Sequence, residues 1–219
     1  MSVDAETSKA QLRARIRSER ATRTATDPES STAATKSSVA ESAWRVVESL
    51  WPDLDLSDRS VLAYAALAGE PDMDSFIDRF LAHGGTVYLP VVTKVGHALM
   101  FGAVTESMTT IEPRGKWGIR EPSPTLTAPD LLSAEVAPAL VFVPALGFGP
   151  QGARLGNGGG FYDRTFGPQG EVPLAGNDHT GLIYGVCFST EIGLSGLTVE
   201  PWDLQISRAV TDDGVHSFV

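Results

Sequence analysis

Ser60-Val-Leu-Ala-Tyr-Ala-Ala-Leu67 is a nearly unbroken apolar run. A strand with one wet face alternates apolar and polar residues, so a run without alternation reads as a strand covered on both faces. It passes into Ala68-Gly69-Glu70-Pro71, and Met73 to His83 then reads as a helix closed by Gly84-Gly85. Thr86 to Val92 is the next strand. Strand, helix and strand in that order need a crossover, which sets the two strands parallel. The fold class that follows is α/β.

Outward from this unit the pattern continues. Ala98 to Val104 reads as a further strand, and Trp117-Gly-Ile-Arg-Glu-Pro122 falls in a long Pro-rich connection. Leu140 to Val143 is another apolar strand, leading into a Gly-rich segment at 147–160. A helix begun near Gly158 is predicted to run through Phe161 to Phe166. Leu182 to Phe188 is a late strand, and Leu204 to Val210 an edge-strand candidate. Upstream, Lys36 to Leu50 reads as a helix ended by Trp51-Pro52. Residues 24–35 form a Ser/Thr/Ala-rich link with Asp27-Pro28 as a turn or cap. With no internal repeat and no long polar linker, residues 1–219 are expected to form one α/β domain.

Hydrophobic residues at 42% and charged residues at 20% are ordinary for a globular chain. The sole cysteine, Cys187, lies in the apolar run Gly181 to Phe188 and reads as a small buried hydrophobe rather than a nucleophile. No CxxC spacing suggests zinc, and His83, His97, His179 and His216 show no ligand spacing. Apolar runs such as Ala137 to Phe148 fall short of the ~20 residues that span a bilayer. The N-terminal residues Ser2, Asp4 and Glu6 make no secretory h-region, so a cytoplasmic location is expected. A net charge of −10 argues against general binding of nucleic acid or an anionic membrane.

The distribution of charge is less ordinary than its sum. Lys9, Arg13, Arg15, Arg17, Arg20 and Arg23 crowd one stretch in which Glu19 is the only acid. Residues 8–23 read as a helix with Ser8 as its cap and Leu12 and Ile16 as an i, i+4 apolar pair. Lys9, Arg13, Arg17 and Arg20 then share one face. The bland reading is a solvated face; the sharper one is an arm closing over a polyanion such as a triphosphate.

Seven glycines (147, 149, 152, 156, 158, 159 and 160) fall between Pro144 and Arg164. Backbone without side chains lets N–H groups approach an anion closely, and a helix starting there would add its dipole. Arg154 supplies a cation and Asp163 a carboxylate, a set that suits phosphate oxygens with bound Mg²⁺. Gly147-x-Gly149-x-x-Gly152 matches a dinucleotide fingerprint only by chance, because Pro150 and the following glycines prevent a helix from opening there. A P-loop is absent, since Gly115-Lys116 is followed by Trp117.

Arg154-Leu-Gly-Asn-Gly-Gly-Gly-Phe-Tyr-Asp-Arg164 closely resembles the R-[LI]-G-x-G-x-G-[FY]-Y-D signature of the 5-formyltetrahydrofolate cyclo-ligase family. Supporting matches are Lys9-Ala-Gln-Leu-Arg13, a strand from Ala65 ending in the acid Glu70, Trp117 to Pro122, and Pro201-Trp-Asp203. The resemblance implies a three-layer sandwich with a mostly parallel central sheet, similar to the sugar-phosphate isomerase and CoA transferase-like folds. It implies ATP- and Mg²⁺-dependent cyclisation of 5-formyltetrahydrofolate to 5,10-methenyltetrahydrofolate, with release of ADP and phosphate. The formyl oxygen would take the γ-phosphoryl group before N10 attacks.

Carried over by position, the resemblance makes Lys9 and Arg154 catalytic. It places Lys9, Arg13, Arg154, Leu155, Gly156, Asn157, Gly158, Gly159, Gly160, Phe161 and Tyr162 at ATP. Ala65, Glu70, Trp117, Asn157, Gly158, Gly159, Gly160 and Phe161 would meet the folate, and Asp163 and Asp203 the metal. Each of four residues has a plainer rival: Glu70 as a helix cap, Trp117 as a core or lid aromatic, Asp203 as a turn residue, and Asp163 as a partner of Arg164. Asn157 departs from the larger or basic side chains of some relatives, and the stretch 167–180 looks inserted. The expected assembly is a monomer or weak homodimer. Two rival functions are an isomerase or CoA transferase-like enzyme without ATP, and a non-catalytic nucleotide- or folate-binding relative.

Overall fold

The computed structural model describes residues 3–26, 31–115, 117–174 and 182–218, with side chains described over 8–23 and from 39 onward in those ranges. Asp27-Pro28, His179 and most of the second half of the inserted-looking stretch lie outside them.

Seven strands make one sheet. They are β1 (Ser60–Leu62), β2 (Thr86–Val91), β3 (Met100–Ala103), β4 (Leu140–Pro144), β5 (Leu182–Val186), β6 (Arg208–Thr211) and β7 (Gly214–Ser217), in the order β7-β6-β5-β4-β1-β2-β3. The inner neighbours run parallel, and only the two edge pairs, β2 with β3 and β6 with β7, are antiparallel. The parallel core follows from the strand–helix–strand order read in the sequence.

Helices cover both faces. Val61, Leu140 and Phe142 point to α2 (Ser31–Leu50) and α3 (Asp74–Ala82), where Trp44, Val47, Phe76 and Phe80 complete one core. Leu62, Val141 and Val143 point the other way, to Leu131 of α4 (Ala128–Leu131) and Phe166 of α5 (Phe161–Phe166). The layers number three, as expected. Cys187 is fully buried, and burial pushes its thiol pKa well up, in keeping with a small hydrophobe.

Several boundaries differ from the sequence reading, each for a physical reason. β1 stops at Leu62 although the apolar run goes on to Leu67. Ala63 N–H still bonds Tyr88, but the next ladder bond needs an N–H from Pro90, which has none. The helix predicted near Gly158 starts only at Phe161, because Gly158 (φ 94°) and Gly160 (φ 64°) are left-handed. The N-terminal helix α1 spans Val3–Thr26, so Ser8 lies inside it and donates to Gly196 O instead of capping. Residues 24–26 and 31–35 of the expected link are helical. β6 is not an edge; β7, joined to it across Asp212-Asp213, takes that place. Gly84 and Gly85 close α3 as expected, donating to Leu81 O and Phe80 O in a Schellman pattern. Among the described residues no helix is long and apolar enough to cross a membrane.

Candidate active site

From β1 the chain moves outward to β2 and β3; after returning to β4 it moves the opposite way, to β5, β6 and β7. The direction reverses between β1 and β4. Open α/β sheets bind ligands at such a point, outside the carboxyl ends of the strands. Here Tyr64, Ala65 and Glu70, beyond β1, and Pro144 and Leu146, at the end of β4, line a cavity of about 1210 Å³.

Helix α1 crosses this cavity. Leu12 and Ile16 pack on Leu146, Leu155 and Leu194, and Arg20 forms a buried bidentate pair with Glu191 at 2.7 and 2.8 Å while donating to Ala145 O. The cationic face is therefore only partly solvated: Lys9 and Arg20 are buried, Arg13 is half-buried and Arg17 is exposed, and Lys9, Arg13 and Arg17 line the cavity. Lys9 Nζ lies 2.5 Å from Asp203 Oδ2.

The Gly-rich segment begins as a tight hairpin, Gly147-Phe148 paired with Arg154-Leu155. This sets Arg154 in the wall, its guanidinium 2.8 Å from Asp163 Oδ1 and 3.2 Å from Pro144 O. The loop from Gly156 to Gly160 follows. Its carbonyls at Gly156 and Asn157 accept from Arg13 (3.1 Å) and Arg17 (2.8 Å). Its five N–H groups donate to nothing among the described residues. A left-handed residue among such amides makes an anion-binding concavity, and only glycine adopts that conformation without strain at 158 and 160. The six residues of α5 are too few for a strong dipole, so any attraction for an anion here would rest on the free amides.

Glu70 sits on the far side of this loop, 95% buried, with Oε2 accepting from Leu67 N–H (2.9 Å) and Oε1 from Asn157 Nδ2 (2.7 Å). It does not cap α3; Asp72 accepts the Asp74 N–H. Trp117 is half-exposed and meets Phe161 edge-on at 5.8 Å, with Val92, Leu99 and Ile119 completing an apolar end.

Asp163 pairs with Arg154 rather than Arg164. Burial alone would raise its pKa, but Arg154, the Leu204 N–H and Lys9 outweigh that and hold it below the usual aspartate range. Asp203 does bridge a turn, accepting Glu200 N–H (2.7 Å), as well as meeting Lys9. Two polar atoms in the wall, Arg154 Nε and the Tyr162 hydroxyl, are buried without a partner among the described residues. Burial raises the Tyr162 pKa, so it stays protonated. Unpaired buried groups cost stability, and the cost concentrates at functional sites.

Every residue singled out in the sequence lines this one cavity: Lys9, Arg13, Ala65, Glu70, Trp117, Arg154 through Asp163, and Asp203. Sequence reasoning missed Tyr64, Glu121 and Trp202, and placed Arg17 on the cationic face without assigning it a contact. Arg17 was visible as one helical turn beyond Arg13. Glu121, whose carboxylate accepts Val92 N–H and is pushed up in pKa by burial, was present in the Trp117–Pro122 match. Tyr64, inside an apolar run, carried no signal.

Fold and site together define an open-sheet α/β protein with a Gly-rich loop of unpaired amides among cationic side chains, and a buried carboxylate, at its topological switch point. Comparison with known proteins narrows the class. The model of the 5-formyltetrahydrofolate cyclo-ligase family matches residues 5–212, and this chain belongs to that family of enzymes. A 5-formyltetrahydrofolate cyclo-ligase of Mycolicibacterium smegmatis is 31% identical over 163 residues, covering 72% of this chain and 76% of that protein. A probable 5-formyltetrahydrofolate cyclo-ligase of Caenorhabditis elegans is 32% identical over 124 residues, covering 56% and 58%. In fold, the NMR structure of Aquifex aeolicus 5,10-methenyltetrahydrofolate synthetase superposes with a TM-score of 0.64 at 23% identity, covering 95% of this chain and 92% of that one.

Proposed function

We propose that this enzyme converts 5-formyltetrahydrofolate to 5,10-methenyltetrahydrofolate at the expense of ATP, by phosphoryl activation of the formyl oxygen. The observation that carries the reading is the loop from Gly156 to Gly160. Its free amides lie among Lys9, Arg13 and Arg154, while its one side chain touches Glu70. An anion subsite and a carboxylate subsite thus share a wall. ATP phosphates suit the first; the N–H-rich edge of a pterin suits the second, with Ala65, Phe161 and Trp117 beside the rings.

An amide oxygen is a poor leaving group, and a phosphorylated one is good. The protein's part is to align the two substrates and to offset charge on the moving phosphoryl group. Lys9 and Arg154 are placed for the second task, the loop and Tyr162 for the first. Magnesium fits the donor set, because Asp163 commits Oδ1 to the protein and Asp203 commits Oδ2, so each keeps one oxygen for a ligand. Mg²⁺ needs only one or two carboxylates beside phosphate and water, and no group of three acids or histidines stands ready for a metal among the described residues. Bound there, it would draw charge from the phosphate oxygens.

The test is near-ultraviolet absorbance of the protein with 5-formyltetrahydrofolate, Mg²⁺ and ATP. The spectrum of the methenyl product should grow and should require all three. A flat trace under these conditions would refute the assignment.

A further inference from the structure

Asn157 is the one position in the loop with a side chain to offer, and both ends of its amide are engaged. Nδ2 donates to Glu70 Oε1 at 2.7 Å, and the Asn157 carbonyl accepts from Arg17 at 2.8 Å, with Oδ1 3.4 Å from the same Arg17 nitrogen. The amide is oriented by its neighbours: Nδ2 faces the Glu70 carboxyl oxygen, which accepts, and Oδ1 faces the Arg17 guanidinium, which only donates. Glu70 thus has one internal donor on each oxygen: Oε2 accepts from a backbone N–H of its own turn, Oε1 from a side chain across the cavity. The first belongs to the local fold. The second is a contact between an exposed loop residue and a buried acid 87 positions away.

We infer that Asn157 is a positioning residue that stands in for the substrate's N–H edge on Glu70 and so couples the two subsites. A pterin N–H that takes the site on Oε1 now held by Asn157 displaces the amide. Displacement turns the side chain away from Glu70 and breaks the bridge from Glu70 through Asn157 to Arg17. The backbone that moves is the same run of amides and carbonyls that lies against Arg13 and Arg17. Folate occupancy therefore alters the loop presented to the nucleotide, and by linkage nucleotide occupancy alters folate affinity by the same factor. This rests on the reading of the site given above and adds to it a named competitor and a named link.

The sign of the effect distinguishes a stand-in from an ordinary contact. Asn157 is not in a left-handed conformation, so alanine is accommodated without strain. In Asn157→Ala, folate no longer competes with an internal donor, and its dissociation constant without nucleotide should fall by roughly fivefold, the worth of one modest hydrogen bond. Quenching of the cavity tryptophans, Trp117 and Trp202, reports this binding. A non-hydrolysable ATP analogue should shift folate affinity in the parent protein and shift it less in Asn157→Ala. In a Glu70→Gln background the Asn157→Ala gain should disappear, whereas a merely structural effect of Asn157 would persist. Weaker folate binding by Asn157→Ala, or an unchanged response to the analogue, would overturn the inference while leaving the site reading intact. Failure of the parent protein itself to bind folate would overturn both.

Discussion

Two ion pairs on the same face of α1 look alike and differ in what surrounds them. Arg20–Glu191 is closed on every side: side-chain exposures are 5% and 2%, the guanidinium is held bidentately, and Glu191 also accepts Phe188 N–H. Burial alone would lower the Arg20 pKa, but Glu191 more than offsets it. Lys9–Asp203, three helical turns away, has one point of contact and lines the cavity. A planar fork held at both ends is a fastener, whereas a compact ammonium with one partner can trade it for another anion. Arg20–Glu191, with Leu12 and Ile16, anchors one part of the helix, while Lys9 faces the cavity and, on the proposed reading, the nucleotide.

Breaking the fastener should give the largest effect. Glu191→Ala leaves Arg20 charged and buried, a change that costs about 3–5 kcal/mol. Urea unfolding should show this as a large drop in midpoint. A loss below 1 kcal/mol would mean that the helix is held by Leu12 and Ile16 alone, and the contrast would fail.

Asp163 tests the working end. Asp163→Asn removes the charge facing Arg154 and, on the proposed reading, one oxygen offered to the metal, and kcat should fall at least about a hundredfold, the scale of losing one charge-stabilising group. The same variant carries a pH signature. Because the folded pKa of Asp163 lies below its unfolded value, its pairing stabilises the fold above the ordinary aspartate range and that contribution is lost as pH falls through the depressed value. Unfolding midpoints of parent and variant should differ at neutral pH and converge toward acid. Parallel curves would show that Asp163 contributes nothing through its charge.

How much of this was legible beforehand depends on range. The parallel core followed from Ser60 to Val92, because continuous apolarity and a glycine stop are local signals. β7 was not read, since Gly214–Ser217 is four residues long with only intermediate and exposed positions. The site's inventory was legible because glycines at such density and their flanking charges lie together in the chain. Its wiring was not: Asn157 meeting Glu70, Arg154 rather than Arg164 meeting Asp163, and Arg20 finding Glu191 are all settled by how the strands cross, and no local pattern carries them.

Lys9→Ala should be smaller in effect than either change above. Asp203 keeps its Glu200 N–H and its side chain is 14% exposed at the cavity, against 2% for Glu191, so stability should fall by about 1–2 kcal/mol, below the 3–5 kcal/mol of a sealed pair. On the proposed reading the ATP KM should rise roughly tenfold, a change equivalent to about 1.4 kcal/mol. An unchanged KM with a large stability loss would make Lys9 a second fastener and erase the distinction drawn along the helix.

The smallest effect belongs to the remaining described pair of α1, Arg15–Glu19. It is 3.7 Å apart, with both side chains more than half exposed at 54% and 56%. Its order along the helix is also the weaker one, since an acid placed four residues before a base is favoured over the reverse. Arg15→Ala should therefore move the unfolding midpoint by less than about 0.5 kcal/mol, and added salt should remove even that. The comparison within one helix then isolates environment from residue type, because Arg15 and Arg20 are the same side chain opposite the same carboxylate. A loss at Arg15 as large as at Glu191 would show that charge on this helix acts through its sum, and that the sealed pocket around Glu191 confers nothing of its own.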